Sequence, residues 1–220
     1  MSTKPETRNP ELETRNPEPG TRNPELPTPP AKLGLFGGSF DPVHLGHLLV
    51  AQAACEEVGL ERLFFILAAQ SPFKPGAEPA PAAERARLLR LALAGRTRFE
   101  IDLQEVARGG VSYTIDTVRD YQRRFPGADL FWLIGADHVP TLPKWREAEA
   151  LAAAVRFIVI PRPGQVPTPL PAPFRGVELH GFPLGVSSSQ IRARVKAGLA
   201  VGDLVPAAVA EAIRNNRLYL

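Results

Sequence analysis

Cysteine occurs once in this chain of 220 residues, at Cys55. An internal disulfide is therefore excluded, and a reducing compartment, the cytoplasm, is expected. Apolar residues make up 44% of the sequence, yet no run of them approaches the roughly 20 residues that a membrane span requires. The N-terminus is too polar for a secretory signal, so no membrane association is expected. Charge of one sign is lacking too, with 26 Lys and Arg against 23 Asp and Glu. The arginines scatter over helix faces instead of clustering with exposed aromatics, which argues against a nucleic-acid partner. The two familiar phosphate loops are also missing: there is no GxGxxG, and no glycine loop ends in Lys-Ser or Lys-Thr.

The first residues differ from the rest. A seven-residue unit containing Thr-Arg-Asn-Pro-Glu recurs three times, at Thr7, Thr14 and Thr21. Its period matches a coiled coil, but a proline in every copy forbids a continuous helix. With balanced charge and few apolar groups, residues 1–32 read as a disordered tail, leaving residues 33–220 as one domain.

One stretch organises that domain: Gly37-Gly38-Ser39-Phe40-Asp41-Pro42-Val43-His44-Leu45-Gly46-His47. It follows a short apolar run, residues 33–36, and leads into a helix-patterned segment, residues 48–58. A buried strand, a glycine-rich turn and a helix N-terminus form the usual α/β phosphate site. Glycine lets backbone approach a ligand, and neutral or charged imidazole donates hydrogen bonds to phosphate oxygens. His44 and His47 could also be half of a metal site or plain helix-capping residues. No cysteine or acidic cluster completes a metal set, so no protein metal ligand is assigned.

Buried strands are predicted over residues 63–68, 130–134 and 156–160, with a half-buried one over 99–103. A helix is predicted over 82–94 with its arginines facing outward. Another starts at Ser112 or Thr114, a short one follows Trp145, and two close the chain. Alternating strands and helices imply a doubly wound parallel sheet, Rossmann-like, with a helical C-terminal end. The loops after residues 36, 68, 134 and 160 then converge along one sheet edge, where such folds bind ligands.

The second motif is Ser187-Ser188-Ser189, followed by Ile191 and Arg192. Hydroxyls at a helix start can cap it or donate to phosphate, and a guanidinium grips phosphate oxygens in a planar fork. Alone, these would be an ordinary N-cap. Together with the histidine turn they resemble the HxGH nucleotidyltransferase superfamily. Ser112-Tyr113-Thr114, Gly135-Ala136-Asp137, Leu142-Pro143-Lys144-Trp145, Pro161-Arg162-Pro163-Gly164 and the ending at Leu218-Tyr219 narrow it to a likeness to bacterial nicotinate-nucleotide adenylyltransferases. The likeness spans about residues 33–219.

That resemblance implies transfer of AMP from ATP to nicotinate mononucleotide, with pyrophosphate released. It implies that Gly37, Gly38, Ser39, Phe40 and Gly46 approach ATP while His44 and His47 contact its phosphates. Ser187, Ser188, Ser189 and Arg192 would hold the departing phosphates, with Lys74 adding charge. Gly135 and Asp137 would meet the adenosine. Thr114, Trp145 and Arg146 would hold the nicotinate, and Mg²⁺ would be bound mainly through ATP phosphates and water. Phe73, Arg146 and Ser189 depart from the commoner family residues. Alternatives left open are adenylyl transfer to nicotinamide mononucleotide or phosphopantetheine, and a non-catalytic nucleotide-binding protein.

Overall fold

The structure is a computed structural model that describes residues 31–70, 78–164, 168–181 and 184–220. Residues 1–30 of the repeat-bearing tail, Phe73 and Lys74 lie outside the described residues, whereas Lys32, read as part of the tail, opens the first strand. Six strands form a single sheet in the order β3-β2-β1-β4-β5-β6. They are β1 (Lys32–Gly38), β2 (Arg62–Leu67), β3 (Phe99–Asp102), β4 (Asp129–Gly135), β5 (Arg156–Ile160) and β6 (Gly176–Glu178). Every strand pair is parallel.

Why these segments are strands is plain in their side chains. Along β2, Leu63, Phe65 and Leu67 enter one hydrophobic cluster while Phe64 and Ile66 enter the other. β4 does the same, with Phe131 and Leu133 on one side and Leu130, Trp132 and Ile134 on the other. A strand buried on both faces needs apolar residues at consecutive positions, which a parallel sheet covered by helices provides. On the first face lie α1 (Leu45–Val58), α2 (Ala82–Leu93), α6 (Ser188–Lys196) and α7 (Ala207–Asn215). On the second lie α4 (Thr114–Arg124), α5 (Ala148–Ala154) and a 3₁₀ helix, Ala136–Lys144. α3 (Gln104–Arg108) is a short turn after β3.

Four features differ from the sequence reading. Gly37 and Gly38 are the last residues of β1, paired with Ile66 and Leu67, so the turn starts at Ser39. Their lack of side chain serves packing as well as backbone approach: a Cβ on Gly37 would lie 2.7 Å from the Trp132 indole. Residues 136–144 form a 3₁₀ helix because Pro140 and Pro143 remove donors that an α-helix would need. α3 was not anticipated. Arg85, expected on an outer face, is 2% exposed. It shares a face with Leu88, Leu89 and Ala92, all buried.

Cys55 sits inside the α1 layer, where burial pushes its thiol up to about 11 and leaves it a packing residue. Gly176 seats the edge strand β6. A Cβ there would stand 1.9 Å from the Phe157 carbonyl oxygen of β5. Gly176→Ala must push β6 off β5, and we expect a loss of about 2–3 kcal/mol of unfolding free energy in urea titration. An unchanged midpoint would contradict this strand seating.

Candidate active site

β1 is hydrogen-bonded to both β2 and β4, and the connections from these strands run to opposite sides of the sheet. Their C-terminal ends therefore diverge and leave a crevice, as expected at the switch point of a doubly wound sheet. A cavity of about 530 Å³ opens there. It is lined by Gly37 and Gly38 at the end of β1, by Ser39, Phe40 and His44 in the turn, and by Gly46 and His47 at the start of α1. Gly135 lines it from the end of β4, Thr114, Asp137 and Trp145 from the second helix layer, and Ser187, Ser188, Ser189 and Arg192 from α6. Residues up to 156 positions apart in sequence, Phe36 and Arg192, thus meet at one sheet edge. Arg146 is not among the lining residues; its guanidinium lies 4.7 Å from the Tyr113 ring centroid and 3.7 Å from Asp116 Oδ2.

The turn is built from aromatic packing and a strained residue. Phe40 has φ +45, a region that bulky residues enter only when their surroundings force them to. The forcing groups are Phe36, Phe65 and His47, whose rings stand 5.5, 5.4 and 5.0 Å from the Phe40 centroid. After it, His44 becomes the N-cap of α1 and His47 its third residue. The His44 backbone N–H donates to His47 Nδ1 at 3.2 Å. An Nδ1 that accepts carries no proton, so the neutral His47 ring presents Nε2–H as a donor. The two imidazoles lie against each other, with centroids 3.7 Å apart.

His44 is 7% exposed, and its Nδ1 makes no hydrogen bond. The His47 backbone N–H approaches it as in a capping box, but bonds instead to the His44 carbonyl at 3.0 Å. Gly46 permits this close fit, because a Cβ there would stand 3.0 Å from that same Nδ1. Burial, aided by the Arg162 charge, lowers the His44 pKa from 6.5 to about 4. At neutral pH His44 is therefore an uncharged imidazole beside a helix N-terminus whose dipole favours an anion.

Two cationic arms reach the cavity. Arg162, from the loop after β5, lines it and donates through Nε to Asp137 Oδ1 at 3.2 Å. Burial alone would raise the Asp137 pKa, but the Arg162 hydrogen bond and charge outweigh it and hold the carboxylate below its usual range. Arg192, one turn into α6, donates through Nη1 to the Asp41 carbonyl at 2.7 Å and through Nη2 to Ser189 Oγ at 3.3 Å. Ser188 donates to the Pro42 carbonyl at 2.8 Å, tying α6 to the turn. Ser187 spends its hydroxyl on the helix cap, accepting from the Gln190 N–H at 3.3 Å and donating to Gln190 Oε1 at 3.1 Å. Trp145 is anchored by its indole N–H on Thr141 Oγ1 at 3.1 Å.

Three residues that the sequence reading passed over support this site. Arg85 donates through Nη1 to the carbonyls of Ser39 and Ala68 at 2.8 and 3.0 Å, and through Nε to Ala80 at 2.8 Å. It thereby joins the ends of β1 and β2. Its signal in the sequence was an arginine at the apolar spacing of α2. Glu105, 3% exposed and lining the cavity, accepts from Thr117 Oγ1 at 2.6 Å; burial raises its pKa despite that bond and one from Ser112. Ser112 in turn accepts from the Ala69 N–H at 3.1 Å, which ties the end of β2 to the start of α4. The third, Asp41, is 6% exposed within the turn.

A crevice at the switch point, lined with neutral imidazoles, hydroxyls and guanidinium groups, defines a nucleotidyltransferase-type site. The profile of the cytidylyltransferase-like family matches residues 35–194. Two bacterial relatives named "Probable nicotinate-nucleotide adenylyltransferase" are each 42% identical and covered over 86% of this chain. The one from Opitutus terrae is covered over 97% of its own length, and the one from Thermus thermophilus over 99%. Among solved structures, the nicotinic acid mononucleotide adenylyltransferase of Plasmodium falciparum complexed with NaAD is similar in fold. It has a TM-score of 0.69 and 16% identity, over 86% of this chain and 97% of that one. The chain belongs to the cytidylyltransferase-like family and, within it, to the nicotinate-nucleotide adenylyltransferases.

Two measurements test this geometry. The imidazole of His44 should titrate by NMR with a midpoint of about 4, and a midpoint near 6.5 would contradict its burial. Since the folded value lies below the unfolded one, unfolding takes up a proton in acid. The stability contribution is complete above about pH 6.5 and is lost as pH falls towards 4. Arg85→Met should strip three carbonyls of their donor and cost about 2–4 kcal/mol in denaturant unfolding. A neutral result would contradict its role as the tie.

Proposed function

We infer that this enzyme transfers AMP from ATP to nicotinate mononucleotide, giving nicotinic acid adenine dinucleotide and pyrophosphate. The observation that carries the reading is convergence: the His44–His47 turn, the Ser188–Arg192 helix start, Thr114 and Trp145 all border one cavity. An oxygen of the nicotinate mononucleotide phosphate attacks the α-phosphorus of ATP. The bond from that phosphorus to the bridging oxygen breaks, and pyrophosphate leaves with the electron pair. Such a transfer needs mainly alignment and charge stabilisation from the protein.

The residues divide the work accordingly. His47 Nε2–H donates to the α-phosphate as its charge shifts, and His44 backs the same group from the helix N-terminus. Arg192, with Ser188 and Ser189, receives the β- and γ-phosphates; Arg192 is always charged, so it stabilises the departing anion without moving a proton. Asp137 takes a ribose hydroxyl of the adenosine. Thr114 donates to the nicotinate carboxylate and Trp145 gives the pyridine an aromatic face. Among the described residues no three His, Cys, Asp or Glu side chains form a cluster that would cage a metal ion. Mg²⁺ would arrive as an ion carried by ATP oxygens and water, where it would offset phosphate charge. The need for ATP is consistent with the cytoplasm as compartment; among the described residues no helix is long and apolar enough to cross a membrane.

The test is pyrophosphate release from ATP with each of three acceptors: nicotinate mononucleotide, nicotinamide mononucleotide and phosphopantetheine. The acid should be preferred over the amide by at least about tenfold in kcat/KM, since donors placed for a carboxylate lose a charged partner. His47→Ala should lower kcat by about 10²–10³ with the fold retained. Release with phosphopantetheine alone would overturn the roles of Thr114 and Trp145. Unchanged kcat in His47→Ala would overturn the role of the turn.

A further inference from the structure

Leu218 and Tyr219 follow α7 near the end of the given sequence, and nothing in the reaction as described uses them. Tyr219 is nonetheless folded back to the active-site turn. Arg217 and Tyr219 both have positive φ, at +52 and +67, and the Leu218 N–H bonds to the Ile213 carbonyl at 3.0 Å. This reversal after α7 brings the Tyr219 hydroxyl to Asp41 Oδ1, to which it donates at 2.9 Å. Left-handed backbone at two non-glycine residues persists only where the surroundings hold it. Here the ring packs against the core that underlies α1 and α2.

Asp41 stands next to the strained Phe40 and three residues before His44. Its Oδ1 has two donors, the Tyr219 hydroxyl and the Ala80 N–H at 3.2 Å. Its Oδ2 lies 3.7 Å from Arg192 Nη1, a loose approach, because that nitrogen donates to the Asp41 carbonyl at 2.7 Å instead. A carboxylate and a guanidinium this close would gain most from a two-point pair. Such a pair would turn Arg192 away from the cavity and cancel its charge. Arg85 is the other cation near Asp41, but its Nε and Nη1 are committed to the carbonyls of Ser39, Ala68 and Ala80, and the side chain is buried. Arg192 is the partner with room to move, its side chain being 37% exposed.

We propose that Tyr219 is a positioning residue for ATP: its hydroxyl holds the Asp41 carboxylate off Arg192 and so keeps that guanidinium available to the departing phosphates. The proposal rests on the assignment of Arg192 to those phosphates. Removing the hydroxyl leaves Oδ1 with one donor in a buried site, and the carboxylate then makes up the loss by capturing Arg192. ATP binding weakens, while the nicotinate side of the cavity keeps its geometry. Removing the negative charge as well abolishes the capture, so an amide at position 41 restores what the tyrosine change cost.

The experiment is steady-state kinetics and thermal melting on the full chain, comparing Tyr219→Phe, Asp41→Asn, the double variant and Arg192→Ala. Tyr219→Phe should raise KM for ATP by about tenfold and leave KM for nicotinate mononucleotide within about twofold. Its melting temperature should fall by no more than a few degrees. Adding Asp41→Asn should bring KM for ATP back to within about threefold of the unaltered enzyme. An unchanged KM for ATP in Tyr219→Phe overturns the proposal if Arg192→Ala raises that same constant. So does a double variant that is no better than Tyr219→Phe. A parallel rise of both KM values with a large loss of melting temperature shows a purely structural tyrosine and also overturns it. If Arg192→Ala leaves KM for ATP unchanged, the phosphate assignment itself falls, and the proposal with it.

Discussion

Parallel strands that stop at one edge leave carbonyl groups and a diverging backbone where the ligand must bind. Here a buried guanidinium meets that need. Arg85 reaches out of α2 to the carbonyls of Ser39, Ala68 and Ala80, and so ties the exits of β1 and β2 to the segment that precedes α2. Burial lowers its pKa against the raising influence of Asp41 and Tyr219, yet arginine remains protonated under all physiological conditions. A charge taken out of water is tolerated only with its donors matched, and each of these bonds is matched to backbone. The turn that carries His44 and His47 depends on this tie. With it in place, Phe40 can be held at a positive φ and Asp41 can be kept buried in the wall of the cavity.

The electrostatics of the cavity follow from that frame. The imidazoles are fixed by contacts with each other, with aromatic rings and with the start of α1, so His44 loses its charge to burial and the Arg162 field. Positive charge comes from arginines, whose state does not vary with pH, and from the dipole of α1. The donors are therefore set before a ligand arrives. Groups held in this way need little reorganisation when a nearby charge changes, which is the condition under which fixed dipoles stabilise it best. Asp137 anchors Arg162, and Asp41 holds the turn to the segment before α2.

Much of this was legible in the sequence, and for physical reasons. Strands buried on both faces show as continuous apolar runs, which is why β2, β4 and β5 could be read directly. The histidine turn and the serine-arginine helix start were visible because chemistry restricts their residue types. Side chains that act through the fold were harder to see. Arg85 looked like one more surface arginine, since charge outweighed its position beside Leu88, Leu89 and Ala92. Glu105 sits in a five-residue helix too short to show a period. Tyr219 meets Asp41 across 178 positions, a pairing that no local pattern encodes. Arg146 was read as a guanidinium for the nicotinate carboxylate; it lies over Tyr113 and is not among the residues that line the cavity.

The central claim is that this site aligns two phosphates and lets one attack the other directly, with no group of the protein as nucleophile. The configuration at the α-phosphorus tests that most directly. With a chiral α-phosphorothioate analogue of ATP, one in-line displacement must invert the phosphorus, and inversion is the result expected. Retention would mean two displacements, with AMP held for a time on the protein. His44 and His47 would then be nucleophile candidates instead of donors, and the account given for the turn would be wrong.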